Sequence, residues 1–219
     1  MHIDEPLWPV PTQATWDFAE AYAPESDSIV EARQRAAELG VTSVSAGAGA
    51  TLRLLTAASR SRSVVEVGTG TGVTALWLLQ GLPADGQLTS IDVEGEHHRI
   101  AREMLASADV PQGRVRLIPG HPGEILPRLQ DAAYDLVLLN VEATALDAIL
   151  EQALRLLRPG GLLVVSNAFA GNRLGDPAQR DASTVARRLF AHRIAEDERL
   201  LPALVSAGDG LLAAVYQPA

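Results

Sequence analysis

The chain has 219 residues, of which 47% are hydrophobic but only 4% aromatic, with a net charge of −9 and no cysteine. Aliphatic side chains must therefore build the core, which suits a buried parallel sheet covered by helices. An acidic balance without a cluster of Lys or Arg argues against a nucleic-acid-binding surface, and the absence of thiols excludes disulfides and thiolate chemistry.

The start, MHIDEPLWPVP, has no basic stretch leading into an apolar run, and no apolar run approaches the ~18 residues of a membrane span. The expectation is a soluble cytoplasmic protein. Residues 1–35 read as an N-terminal extension, irregular at Pro6, Pro9 and Pro11 and carrying Trp8 and Trp16. A polar helix is expected over 27–40, and helical spacing resumes over 48–58. Residues 36–219 are expected to form the main domain.

From Ser63 onward the pattern alternates. Short apolar runs at 64–67, 88–91, 115–118, 136–139 and 162–165 are separated by helix-length stretches near 73–82, 95–108, 122–130, 144–157 and 178–193. Strands spaced by such helices predict right-handed βαβ units and a parallel sheet, an α/β fold. Arg158-Pro159-Gly160-Gly161 is expected to end the fourth of these helices. The tail differs: 200–206 and 211–216 read as strands, with only Gly208-Asp209-Gly210 as the turn between them. No helix fits there, so this pair must be antiparallel.

The segment Val64-Val65-Glu66-Val67-Gly68-Thr69-Gly70-Thr71-Gly72 sits where the first strand turns into a helix. Glycines there let backbone approach a ligand, and the helix N-terminus offers free N–H groups. The spacing is G-x-G-x-G rather than the dinucleotide G-x-G-x-x-G, which disfavours an NAD-dependent oxidoreductase. A carboxylate, Glu66, precedes the glycines. That suits S-adenosylmethionine (SAM), which carries an ammonium and a sulfonium but no pyrophosphate. Thr74 is a candidate hydroxyl donor to its methionine carboxylate. Asp92 closes the second strand, 24 residues after Gly68, where an acid accepts from ribose hydroxyls; alone, it would read as a helix-capping residue. Gly120-His121-Pro122 follows the third strand, either as an adenine edge or simply as a helix start with Pro at its first position.

Together these stretches resemble the SAM-dependent O-methyltransferases of the catechol and caffeoyl-CoA type, especially their bacterial members. The likeness covers roughly residues 40 to 217. It rests on VVEVGTGTGVTALWL (64–78), LTSIDVEGEHHRIAREML (88–105), GHPGEILPRL (120–129), YDLVLLN (134–140), LRLLRPGGLLVVSN (154–167) and the late Gly-Asp-Gly. The resemblance implies a Rossmann-like methyltransferase fold: a mostly parallel seven-stranded sheet, a C-terminal antiparallel hairpin and helices on both faces. It implies SAM as methyl donor, S-adenosylhomocysteine as product, a small-molecule acceptor and a homodimer. The leading segment would pack across that dimer or over the mouth of the site.

It also implies residue roles. Thr42 and Val44 match positions touching the methionine part and the reaction zone. Glu66, Gly68, Gly70, Gly72 and Thr74 match the methionine-side pocket, Asp92 the ribose acceptor and Val93 an adenine wall. His121 and Pro122 stand where the family has Asp-Ala, and Pro122 has no N–H to give. In the metal-dependent family the fourth strand ends Asp-Ala-Asp-Lys and the fifth Asp-Asn, and three of these residues hold a divalent cation. Here the sequence reads Asn140-Val141-Glu142-Ala143 and Ser166-Asn167. Asn140 remains among the expected cofactor contacts, but no metal is expected, because magnesium prefers carboxylate oxygens. Two functions follow: methyl transfer without metal, or a cofactor-binding regulatory or scaffold protein that has lost turnover. The residues name no general base. His97 and His98 read as surface residues, and His2 and His192 carry no motif.

Overall fold

Five apolar runs line up in parallel in one sheet, four of them largely buried and the run at 115–118 partly exposed at the sheet's edge. The structure is a computed structural model and describes residues 9–218. Its strands are β1 (Ser63–Val67), β2 (Gln87–Asp92), β3 (Val115–Pro119), β4 (Tyr134–Leu139), β5 (Leu157–Val165), β6 (Leu200–Val205) and β7 (Leu211–Tyr216). They form a seven-stranded sheet in the order β3-β2-β1-β4-β5-β7-β6, parallel through β5 and antiparallel at β7. The tail forms the expected antiparallel hairpin. Its second strand is the inner one: β7 pairs with β5, and β6 is left at the edge.

Among the described residues, eight helices accompany the sheet: α1 (Gln13–Ala21), α2 (Asp27–Glu38), α3 (Ala46–Ala58), α4 (Val73–Gly81), α5 (Gly95–Ser107), α6 (Pro122–Ile125), α7 (Ala143–Leu156) and α8 (Ala182–Glu196). Strand alternation divides the core in two. Val64, Leu88, Leu136, Leu138 and Val164 face α2–α5, while Val65, Val67, Ile91, Val137 and Leu163 face α7 and α8. Helix α4 is buried from Val73 through Leu79, so it needs cover on its outer side too. α2 and α3 supply it. A Cβ at Gly49 of α3 would lie 2.1 Å from the Trp77 indole, which explains the small residue there, and the Arg53 guanidinium stacks over the same ring at 5.2 Å.

Four local expectations shift, each for a physical reason. Helix α1 occupies part of the stretch that reads as irregular; Thr12 caps it by accepting from the Thr15 N–H. The helix expected over 122–130 stops at Ile125 and continues as one 3₁₀ turn over Leu126–Arg128, since Pro127 has no N–H to extend it. Helix α8 starts at Ala182 rather than 178, because the Asp181 carboxylate caps it from the Thr184 N–H. Arg158–Gly161, expected as a break before the fifth strand, lies within β5 as an irregularity. Pairing passes from Tyr134–Leu157 to Leu136–Leu162, and Gly160 takes a φ of +80°.

Candidate functional site

The sheet reverses direction of growth between β1 and β4, so their C-terminal ends open a crevice. The glycine loop fills one side of it. Gly68 has a φ of +96°, and a Cβ there would stand 2.0 Å from the Asn140 carbonyl oxygen. Only glycine lets β1 and β4 end this close together. Gly72, at φ +95°, caps the N-terminus of α4 without a side chain, leaving that helix end free to meet an anion. The Thr71 hydroxyl donates to the Ala32 carbonyl at 2.7 Å and so fastens the loop to α2.

Beneath the loop runs a buried polar chain. Glu66 is fully buried, and its two oxygens accept from the hydroxyls of Thr74 and Ser90, the latter at 2.5 Å. Ser90 has then spent its only hydrogen, so the Thr69 hydroxyl donates to Ser90 Oγ at 2.6 Å. Thr69 in turn accepts from Nε2–H of His98 at 3.3 Å, which sets the tautomer of that ring. Burial pushes Glu66 up to about 7 although the Ser90 and Thr74 hydroxyls pull against it, and burial pushes His98 down despite nearby Asp92. Thr74, a candidate donor to a ligand carboxylate, gives its hydroxyl here to Glu66.

Asp92 sits beside this chain at the end of β2. Its Oδ2 accepts from the Gly70 N–H at 2.9 Å, its Oδ1 from the Glu94 N–H at 2.9 Å, and the His97 ring lies 3.2 Å away. Adjacent residues on α5 thus reach two parts of the site, and the surface reading of His97 and His98 does not hold. The helix starts directly under the loop, so His97 meets Asp92 while His98, only 4% exposed, meets Thr69.

Thr42, Thr69, Gly70, Thr74 and Asn140 line a narrow cavity of about 10 Å³ against the loop. Val44 is buried nearby, and its carbonyl accepts from Arg33 at 2.5 Å. Val93 is half exposed just past Asp92. His121 caps α6 with its backbone while its imidazole is exposed, and Pro122 is the first residue of that helix. His2 and Trp8 lie outside the described residues.

At the far side of the crevice stand the residues to which the resemblance assigns the cation site of the metal-dependent family. Asn140 Oδ1 accepts from the Ser166 hydroxyl at 2.6 Å, and Asn140 Nδ2 donates to the Gly68 carbonyl at 3.2 Å. Both side chains are therefore committed to each other and to the loop. Glu142 is exposed at the start of α7, and Ala143 is buried. Among the described residues no three His, Cys, Asp or Glu side chains gather as a metal site. A neutral pair already hydrogen-bonded together does not fit a hard dication. Behind it lies a residue with no sequence signal. Arg187 of α8 donates to the carbonyls of Ser166 at 3.0 Å and Val141 at 3.3 Å, clasping the ends of β5 and β4.

A larger cavity, about 730 Å³, lies between α8, residues 174–177 and the β6–β7 hairpin. Its lining is mainly Leu, Ala and Pro, with Arg188 and His192 and no carboxylate.

A family model described as O-methyltransferase matches residues 20–216. The Mycobacterium tuberculosis H37Rv protein named "Probable O-methyltransferase Rv1220c" is 47% identical over 216 residues, 98% of this chain and 96% of that one. The O-methyltransferase TomG of Streptomyces achromogenes, involved in tomaymycin synthesis and solved in complex with SAM, is 28% identical. It aligns with a TM-score of 0.83, over 95% of this chain and 100% of TomG. A Corynebacterium glutamicum protein of known structure aligns with a TM-score of 0.84 at 29% identity, over 92% of this chain and 95% of its own.

Proposed function

The chain belongs to the O-methyltransferase family, and on that premise we propose that it methylates an oxygen of a small-molecule acceptor, using SAM and no catalytic metal. The observation that carries the metal-free part is the Asn140–Ser166 pair, two neutral side chains that satisfy each other.

When bound, SAM supplies a methyl group activated by its sulfonium. The glycine loop and the N-terminus of α4 would receive its methionine carboxylate, with Thr42, Val44 and Asn140 around the methionine side. Asp92 would take the ribose hydroxyls, and Val93, His121 and Pro122 would border the adenine, Pro122 by shape alone. Glu66, sealed beneath the loop, acts by holding Thr74 and Ser90 in place. The acceptor's hydroxyl proton leaves to solvent. With SAM in place, its sulfonium would offer the methyl group to the hydroxyl oxygen and the sulfur would keep the electron pair of the C–S bond. Rate comes mainly from holding that oxygen in line with the methyl group.

We place this activity in residues 36–219, in a cytoplasmic homodimer to which the segment before residue 36 contributes; no helix among the described residues is long and apolar enough to cross a membrane. Calorimetric titration with S-adenosylhomocysteine and with NAD tests the pocket. Micromolar binding of the former, about −8 kcal/mol, is expected. Heat with NAD and none with adenosyl ligands contradicts the reading.

A further inference from the structure

The cavity against the glycine loop, about 10 Å³, has room for no more than a single water. SAM's methionine end, with its ammonium and carboxylate, needs more, so one wall yields when it enters. One wall is the glycine loop with Asn140; the other is Val41–Ser43, part of the strap that joins α2 to α3. The two are held very differently. In the loop, the Gly68 carbonyl accepts from Asn140, Thr69 bonds to Ser90, the Gly70 N–H donates to Asp92 and the Thr71 hydroxyl donates to the Ala32 carbonyl. In the strap, Thr42, Ser43 and Val44 give no N–H to another main-chain group among the described residues. Their polar hold comes from one side chain, Arg33 of α2. Its Nη1 donates to Ser43 Oγ at 3.1 Å and to the Val44 carbonyl at 2.5 Å.

Arg33 is itself fixed from its other edge by Glu25, just before α2. That carboxylate accepts from Nε–H at 3.0 Å and from Nη2–H, a bidentate pair in which both side chains are mostly buried. One guanidinium thus ties the strap to α2, and the strap has a pivot where it leaves that helix. Gly40 stands there at a φ of +67°, with open space around the position of a Cβ. At the far end the Val44 side chain is buried in the core, which leaves Val41–Ser43 as the part free to swing. Resting on the proposed placement of the methionine end at the glycine loop, we infer that Arg33 is a positioning residue that latches this strap over the cofactor, and that its release admits and discharges the cofactor. Binding that waits on such an opening associates more slowly than open-pocket binding. A weakened latch therefore speeds both entry and exit, whereas mere damage to the pocket speeds exit alone.

The test is the rate of S-adenosylhomocysteine association and dissociation, measured by surface plasmon resonance on the full chain. Wild type is compared with Arg33→Gln, Arg33→Lys and Glu25→Gln. Loss of one hydrogen bond to a charged group should raise the dissociation rate by about tenfold or more in Arg33→Gln. Its association rate should rise as well, with smaller changes of the same sign in the other two. Arg33→Lys keeps the charge but not the fork that spans Glu25 and the strap. Without ligand, amide hydrogen exchange over 41–44 should quicken in Arg33→Gln while exchange over 68–72 stays as in wild type. Should Arg33→Gln fail to fold, Arg33→Lys and Glu25→Gln carry the same comparison. Faster exit with unchanged or slower entry overturns the inference and leaves Arg33 as a structural tie. Asp92→Ala would still weaken binding in that case, so the proposed pocket would survive. A wild-type chain that binds no S-adenosylhomocysteine sinks the pocket and the latch together.

Discussion

The Gly70 N–H donates to Oδ2 of Asp92 at 2.9 Å, so the carboxylate proposed to read the ribose also fixes the tip of the glycine loop. Asp92→Ala should therefore cost more than one ligand contact. A hydrogen bond to a charged group is worth about 1.5–3 kcal/mol. S-adenosylhomocysteine affinity should fall tenfold to a hundredfold, with the domain still folded by circular dichroism. Unchanged affinity places the ribose elsewhere.

Gly68 and Gly70 make a matched pair of tests. A Cβ at Gly68 meets the Asn140 carbonyl at 2.0 Å on a backbone with φ +96°, whereas at Gly70 the nearest atom is Val41 Cγ1 at 3.6 Å with φ +50°. Gly68→Ala should lower stability by several kcal/mol, and Gly70→Ala by only about 1 kcal/mol of left-handed backbone strain. Denaturant melts compare them, and equal losses contradict the close approach of β1 and β4.

The strand pattern was legible because each run is short, begins and ends on an apolar residue and is separated from the next by a helix-length stretch. The loop and Asp92 were legible because their spacing is fixed by one βα unit. The order of β6 and β7 was not, since both are short apolar strands and only packing against β5 decides which lies inside. Helix α1 escaped notice because it buries none of its residues, so no apolar period marks it. His98 looked solvated beside Glu94 and Glu96, and nothing in the sequence sets Arg187 apart from the other arginines of α8. Their roles arise from contacts with residues far along the chain, Thr69 and Ser166.

Glu66 gives a pH signature. Its carboxyl rises from 4.5 to about 7 on folding, so the folded chain holds the proton more tightly than the unfolded one. The resulting stability is full below about 4.5, is lost as pH rises through 7, and stays level above. At 1.36 kcal/mol per pH unit the loss is on the order of 3 kcal/mol. Glu66→Gln should remove that part of the decline between pH 5 and 8 in melts by fluorescence. An identical pH dependence in the variant shows that Glu66 is not the group responsible.

Helix α1 turns Phe18 and Tyr22, 70% and 77% exposed, away from the domain, while Glu20 pins it by accepting from the N–H groups of Gly47 and Gly208. Light scattering should report a dimer, and Phe18→Glu combined with Tyr22→Glu should give a folded monomer. A wild-type monomer, or a variant that stays dimeric, removes α1 from the interface.

The central claim, methyl transfer without a metal, is tested most directly by turnover in EDTA. The chain is incubated with SAM and a panel of hydroxyl compounds, and methylated product and S-adenosylhomocysteine are measured by mass spectrometry. Because Asn140 and Ser166 offer a dication no charge, product should form equally with EDTA and with millimolar magnesium. Asn140→Asp with Ser166→Asp should make the chain bind magnesium measurably. Activity in the natural chain that EDTA abolishes and magnesium restores contradicts the account, and cofactor binding without product from any acceptor makes the chain a binding protein instead.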